Sequence, residues 1–336
     1  MKTDISILSW GAVSPGGTGA GPLQSTAQWP LSEIAEVARP LKQHLVGTID
    51  LSAPYLKRWA TRPRLRRASP ISYYMIEAAA QALEPYPEID RSRVGLVSVS
   101  FLGCLLYSLR FYRQFQKEGR RFASPALFPE TVANTPLSHV AAELGIGGPV
   151  YSLIGDKSAW ATALRTACCW LELGDADHVL LIGAEEFEAH ALDAFRSAGW
   201  LGKPYTRAFT PGAGAILLTK CLTPGLPRIL GIQDGFCFRD KQTSRTAAID
   251  CLSQFPPKTP VANTASGWIQ GIAEAVLANY PSVPDLPALE IEGFTASCAW
   301  DTIRAADYLQ SNPGQSLLVP YWGLTQQIGA LHLGCE

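Results

Sequence analysis

Four consecutive residues, Gly155-Asp156-Lys157-Ser158, bring an acid, an amine and a hydroxyl together between two very different runs. Before them stands "GPVYSLI", which reads as a buried strand; after them "AWATAL" opens a helix rich in small residues. A strand-to-helix junction presents backbone N–H groups and the positive end of the helix dipole, so it suits a nucleophile or an anion. Lysine there has three readings. As an amine nucleophile it would form a Schiff base, and it would need burial or a nearby cation to lower its pKa. As a ligand it could hold a phosphate or carboxylate, although "GDKS" departs from the P-loop pattern, which places Gly directly before Lys where Asp156 stands. As a paired charge it would plug a pocket that performs no chemistry, with Asp156 the neighbour expected to keep it charged. Ser158 could be a hydroxyl nucleophile if a base stood near. His139 and His178 read as packing residues, and Cys104, in "SFLGC", as a buried inert thiol.

The elements that must position this junction alternate. "PISYYMIEAAAQALE" (70–84) starts with Pro at a helix N1 position and repeats apolar residues at helical spacing. "RVGLVSVS" (93–100) is a strand and "LLYSLRFYRQFQKEG" an amphipathic helix. "PLSHVAAELGIGGP" is a helix closed by glycine. The strand "VYSLI" leads into the helix after Lys157, which ends at Gly174; "DHVLLIGAEEF" and "GAGAILLTK" are further strands without polar alternation. The pattern restarts more faintly after about residue 224, with "RILGIQDGF", "ALEIEGF", "SLLVP" and "IGALHLG" as strands and helices at "SGWIQGIAEAVLANY" and "AWDTIRAADYLQ". The expectation is a layered α/β fold, a sheet covered on both faces.

Composition narrows the function. Hydrophobic residues make up 47% of the 336 residues and charged residues 17%, enough apolar material for a deep core and for surface buried against a partner. With 28 Lys+Arg against 29 Asp+Glu, the overall balance argues against nucleic-acid binding. The amino-terminal "MKTDISILSW" lacks the pattern of a leader or anchor, and no apolar run reaches membrane-spanning length. Eight scattered cysteines without a C-x-x-C pair suit neither zinc nor a disulfide scaffold; no metal or cofactor is expected, and cytoplasm is the default. One local charge excess stands out, "KRWATRPRLRRAS" (57–69), in which Arg62, Arg64, Arg66 and Arg67, with Arg110, Arg113 and Lys117 further on, could attract an acidic partner.

Three segments in order resemble the condensing enzymes of fatty-acid and polyketide synthesis, the β-ketoacyl synthases: "WGAVSPGG" (10–17), "NTPLSHVAAELGIGGP" (134–149) and "GDADHVLLIGAEEF" (174–187). The resemblance runs over roughly residues 1 to 220. It implies a thiolase-like αβαβα layered sandwich with a shortened C-terminal half. Residues 1–223 and 224–336 would be the two halves of one intertwined domain.

In that family a cysteine stands eight residues after the Pro of the Gly-Pro turn, where the helix dipole favours its thiolate. The same count from Pro149 reaches Lys157, which cannot form an acyl thioester. The family's first histidine falls on Gly293 or Phe294; the second falls on Gln327 or within a deleted stretch. No histidine occurs between His190 and His332.

The resemblance therefore implies a degenerate, chain-length-factor-like subunit, non-catalytic by itself, for polyketide, polyene or fatty-acyl synthesis. Asp156, Ser158, Trp160, Phe294 and Trp322 would fill or floor its pocket. An active ketosynthase would pair with it through "VYSLI" as a heterodimer, and an acyl carrier protein would dock on the arginines. Two alternatives stay open: an enzyme with relocated acyl or carbonyl chemistry on Lys157 or Ser158, and a homodimeric carrier-binding scaffold.

Overall fold

The computed structural model describes residues 4–33, 45–200 and 207–336; residues 1–3, part of the amino terminus read above, lie outside them. In chain order the elements are β1 (Ile5–Ser14), β2 (Gly17–Thr18), β3 (Leu31–Glu33), β4 (Leu45–Gly47), α1 (Pro54–Ala60), α2 (Pro70–Leu83), β5 (Val94–Ser100), α3 (Leu105–Glu118), α4 (Thr135–Leu144), β6 (Val150–Ile154) and α5 (Ala159–Leu173). They continue with β7 (His178–Glu185), α6 (Ala189–Ser197), β8 (Ala208–Phe209), β9 (Gly212–Thr219), β10 (Arg228–Cys237), α7 (Lys241–Ser253), α8 (Gln270–Leu277), β11 (Ile291–Glu292), α9 (Thr295–Ser311), β12 (Ser316–Trp322) and β13 (Gln327–Gly334).

The apolar runs without alternation become strands covered on both faces. β5 and β9 are buried at every position and β7 at all but its first residue. The main sheet has the order β12-β13-β10-β1-β9-β7-β5-β6, with β5 parallel to both β7 and β6. β10 joins the two halves by pairing with the start of β1, Ile5 opposite Ile229. Between the halves lie α5 and α9. α5 packs on β5 and β7 on one side and on β10 and β13 on the other; α9 likewise touches β7, β9, β12 and β13. α2 covers β1, β9 and β7 from outside, and α7 covers β10 and β13. The layers are therefore αβαβα, the thiolase-like sandwich that the sequence led us to expect.

Helix ends follow the local chemistry. Pro70 sits in the first turn of α2, where its missing N–H costs nothing. Gly145 and Gly174 close α4 and α5 in the left-handed conformation. α9 can lie close on β7 because Gly183 has no side chain; a Cβ there would collide with the Thr295 carbonyl.

Three expectations change. "VYSLI", read as a buried strand, is the edge strand β6, none of its residues buried, because it has a neighbour on one side only among the described residues. "ALEIEGF" forms a strand only at Ile291–Glu292, because Phe294 turns the chain at φ 47° directly into α9. α7 was not anticipated, since its polar sequence hides a helix whose start is fixed by an Asp240–Thr243 capping box. No described helix is long and apolar enough to cross a membrane.

Candidate functional site

β6 ends at Ile154, and the turn 155–158 delivers Lys157 and Ser158 just ahead of α5. Lys157 is only 3% exposed. Its Nζ donates to Ser266 Oγ at 2.7 Å and pairs with Glu292 Oε2 at 2.9 Å, while the Ser266 hydroxyl donates to the same Glu292 oxygen. Amine, hydroxyl and carboxylate thus close a triangle. Burial by itself would raise the Glu292 carboxyl, but the Lys157 ammonium and the Ser266 hydroxyl outweigh it and hold it below the ordinary carboxylate range. The other oxygen of Glu292 accepts the Phe294 N–H at 2.7 Å. An ammonium held this way is neither a free amine nucleophile nor available to an incoming anion.

Asp156 does not hold Lys157, contrary to the reading from sequence. One of its oxygens accepts from Ser158 N and Oγ at 3.1 and 2.7 Å, the other from Thr325 N and Oγ1 at 2.8 and 2.7 Å. It ties the turn before α5 to the β12–β13 hairpin and commits the proton of Ser158. The counter-charge of Lys157 comes instead from Glu292, far along the chain and inside an apolar context that sequence reading passed over. Ser266 gave no signal either, lying in an irregular stretch. Cys298 is the thiol hydrogen-bonded to this turn, its Sγ 3.5 Å from the Lys157 carbonyl. Burial pushes it well above the usual thiol range, so it is no substitute thiolate.

Phe294, one of the two residues that the resemblance sets against the family's first histidine, contributes an apolar ring. Its centroid lies 4.9 Å from that of Phe195, 5.4 Å from Phe209 and 5.6 Å from Phe101, and Trp200 completes the cluster against Phe101 and Phe195. The positive φ of Phe294 stores roughly 1–3 kcal/mol of strain, which the ring packing and the N–H bond to Glu292 offset. Trp160 is fully buried between the sheet halves and donates to Thr302 Oγ1 at 3.0 Å. Trp322, at the end of β12, is buried in the same apolar cluster as Phe294, its Nε1 without a partner among the described residues. Gln327 opens β13 half-buried, and its backbone carbonyl accepts from Gly323 N at 3.1 Å.

The histidines read as packing residues have structural partners or positions. His139 Nε2 lies 3.1 Å from Glu130 Oε1, and His178 sits at the opposite end of β7 from Glu185. Cys104 is buried, which pushes its thiol up to about 12. Sequence reading missed the pair Glu185 and Glu186, whose burial raises both carboxyls to about 7. Glu185 accepts from Phe101 N, Leu102 N and Thr295 Oγ1 at 2.6, 2.9 and 2.7 Å; Glu186 accepts from Leu106 N at 2.9 Å and from the Ser69 hydroxyl. Together they pin the starts of α2, α3 and α9 around the site.

Outside, a cleft of about 470 Å³ opens between Arg66 and Arg67 on one side and Tyr107, Arg110 and Gln114 of α3 on the other. Of the four arginines singled out from sequence, these two line the cleft. Arg62 is taken up by Glu143 at 2.8 Å and stacks over Trp59, and Arg64 is exposed. β6 is the outermost strand of the sheet, with Val150, Tyr151 and Ile154 all exposed.

Residues 6–222 match the family described as beta-ketoacyl synthase, N-terminal domain. No curated protein matches the chain significantly. Among solved structures it is similar to the ishigamide ketosynthase/chain length factor, at 20% identity and TM-score 0.80 over 98% of this chain and 99% of that one. It also resembles a ketosynthase in complex with its chain length factor from Xenorhabdus doucetiae, at 16% identity and TM-score 0.75 over 99% and 98% of the two chains. A third similar structure is a type II acyl-carrier protein in complex with its ketosynthase bound to the hexaketide; there the identity is 15% and the TM-score 0.79, over 100% of both chains.

Proposed function

The chain belongs to the β-ketoacyl synthase family, and from that premise we propose that it is a non-catalytic, chain-length-factor-like subunit that pairs with an active ketosynthase in polyketide, polyene or fatty-acyl chain synthesis. The observation that carries this reading is the buried triangle of Lys157, Ser266 and Glu292 beside the Phe294 ring. Condensation needs a nucleophile that forms an acyl thioester and donors for the charge that develops on decarboxylation. Here the first position holds a neutralised ammonium and the second an apolar ring.

Assembly supports the same reading. Among the described residues β6 has a strand neighbour on one side only, and its Val150, Tyr151 and Ile154 are exposed, which favours addition of a partner strand. The cleft with Arg66, Arg67 and Arg110 suits an acidic acyl carrier protein, electrostatically steered. Residues 1–223 and 224–336 act as one intertwined domain, since α5 and α9 pack on both halves. Eight free cysteines fit the reducing cytoplasm.

The test is co-expression with candidate ketosynthases, native mass spectrometry and an elongation assay. A 1:1 complex that elongates acyl chains, with activity kept in Lys157→Met/Glu292→Leu, is the expected result. The double variant is needed because removing either charge alone strands the other. Turnover of an acyl or carbonyl substrate by the isolated chain, abolished by that variant, would overturn the reading.

A further inference from the structure

The cleft between the 66–67 turn and α3 holds more positive charge than the chain itself answers. Arg58 and Arg62, just upstream, are taken up by Glu77 and Glu143. Arg66, Arg67 and Arg110 line the cleft with no carboxylate at ion-pair distance among the described residues. The Arg110 guanidinium lies over the Tyr107 ring, 5.7 Å from its centroid, which favours one orientation of its flat fork at the cleft wall. The lining has one acid, Glu118, and its carboxylate already accepts from the Gln114 amide at 3.1 Å. Three guanidiniums against one carboxylate leave two positive charges unmatched.

The walls of the cleft hang on one buried group. Glu186 accepts from the Ser69 hydroxyl, two residues after Arg67, and from Leu106 N in the first turn of α3. Leu65 is fully buried and its carbonyl accepts from the Tyr73 hydroxyl at 2.8 Å, so Arg66 and Arg67 leave a turn anchored on both sides. On the remaining side Ser124 Oγ accepts from Leu127 N at 3.2 Å and closes a tight turn. The backbone positions from which the arginines extend are therefore set before any ligand arrives, which lowers the entropic cost of binding.

Shape and charge together select a ligand class. A volume of about 470 Å³ lies in the range of small-molecule sites and far exceeds a bare anion. Ala126, Leu127 and the Tyr107 ring supply apolar surface beside the cations. A carboxylate or a phosphodiester carries one negative charge and would leave half of the excess unanswered. A phosphate monoester carries close to two at neutral pH, and its oxygens match planar guanidinium forks bidentately.

We infer that the cleft binds a small phosphate monoester whose apolar or aromatic body lies against Tyr107, Ala126 and Leu127, and that this ligand competes with a carrier protein for Arg66 and Arg67. The competition rests on the accessory-subunit reading; the ligand site rests on the cleft alone. Through such a site a free phosphorylated metabolite slows the delivery of acyl chains.

The experiment titrates the whole chain by calorimetry with phenyl phosphate. Phenyl sulfate, with the same ring and one charge, and inorganic phosphate, with no ring, are the controls. Phenyl phosphate should bind at least about tenfold more tightly than either control. Arg110→Lys keeps the charge but loses the fork, and it should weaken phenyl phosphate by about tenfold, as should Arg66→Gln/Arg67→Gln. The side chains replaced are exposed, so unfolding midpoints should stay at the wild-type value. Saturating phenyl phosphate should weaken binding of an acyl carrier protein to the wild-type chain and leave the residual binding of Arg66→Gln/Arg67→Gln unchanged. Equal affinity for phenyl phosphate and phenyl sulfate, or affinity unchanged in both arginine variants, overturns the ligand site. Phenyl phosphate bound with no loss of carrier affinity overturns the competition. A chain that binds phenyl phosphate in this pattern but no carrier protein and no ketosynthase supports the ligand site and sinks the accessory-subunit reading instead.

Discussion

The turn at Lys157 and the strip along α3 treat charge in opposite ways. Inside, one ammonium meets one carboxylate through a shared hydroxyl, and aromatic rings fill the adjoining space. Outside, along α3 and the turn after it, Arg113, Lys117, Arg120 and Arg121 lie exposed among the exposed rings of Tyr112, Phe115 and Phe122. The interior is complete without another molecule, whereas the rim is not. The inner charges are matched within the fold, and the outer ones face solvent.

Breaking the interior should cost most. Glu292→Leu alone should lower unfolding stability by about 3–5 kcal/mol, because it leaves the Lys157 charge buried without a partner. Adding Lys157→Met should recover most of that loss, read from denaturant midpoints. Equal stability of wild type and the single variant would mean that the pair is wet and loose.

Comparable in size is the response to pH of the shell around the site. Glu185 and Glu186 have folded pKa values raised by burial from 4.5 to about 7. The folded state then holds their protons more tightly than the unfolded chain does. Their contribution is full below about pH 4.5 and is lost as the pH rises through about 7. At about 1.4 kcal/mol per pKa unit for each group, urea midpoints should fall between mildly acidic and mildly alkaline buffer. Glu185→Gln/Glu186→Gln should flatten that fall.

On the outside, single changes should be smaller and should appear in association rather than folding. Arg66→Glu with Arg67→Glu should weaken acyl-carrier binding by about tenfold, roughly 1.4 kcal/mol, with a reduced salt dependence measured by calorimetry. Phe122→Ser should change the stability of the isolated chain by less than about 0.5 kcal/mol. A larger loss would show that the ring packs within the chain and would blur the contrast between interior and rim.

Much of the architecture was legible because it is local. Strands without alternation, Pro70 at a helix start and Gly145 and Gly174 at helix ends follow from sequence neighbours alone. The place of Lys157 at a strand-to-helix junction was legible, but the apolar run before it was misread as a buried strand, since β6 is the exposed edge of the sheet. The counter-charge of Lys157 was not legible. Asp156 is adjacent in sequence, yet its carboxylate turns to Ser158 and Thr325, while Glu292 arrives through the pairing of β11 with β8. Long-range pairing of this kind leaves no periodic trace. The ring cluster was equally hidden, since Phe101, Phe195, Phe209 and Phe294 come from four separate elements.

The order in which the ribosome delivers these parts has its own consequence. β1, β5, β6, β7 and β9 form a contiguous block of the sheet that is complete once Thr219 has emerged. Lys157, by contrast, precedes Ser266 by 109 residues and waits still longer for Glu292. The nascent chain therefore displays its sticky edge while its core still holds an unmatched charge, a state prone to aggregate. Translation next to the partner would shelter that edge early. Yield of soluble protein should accordingly rise when both subunits are translated from one message, and fall when this chain is made first.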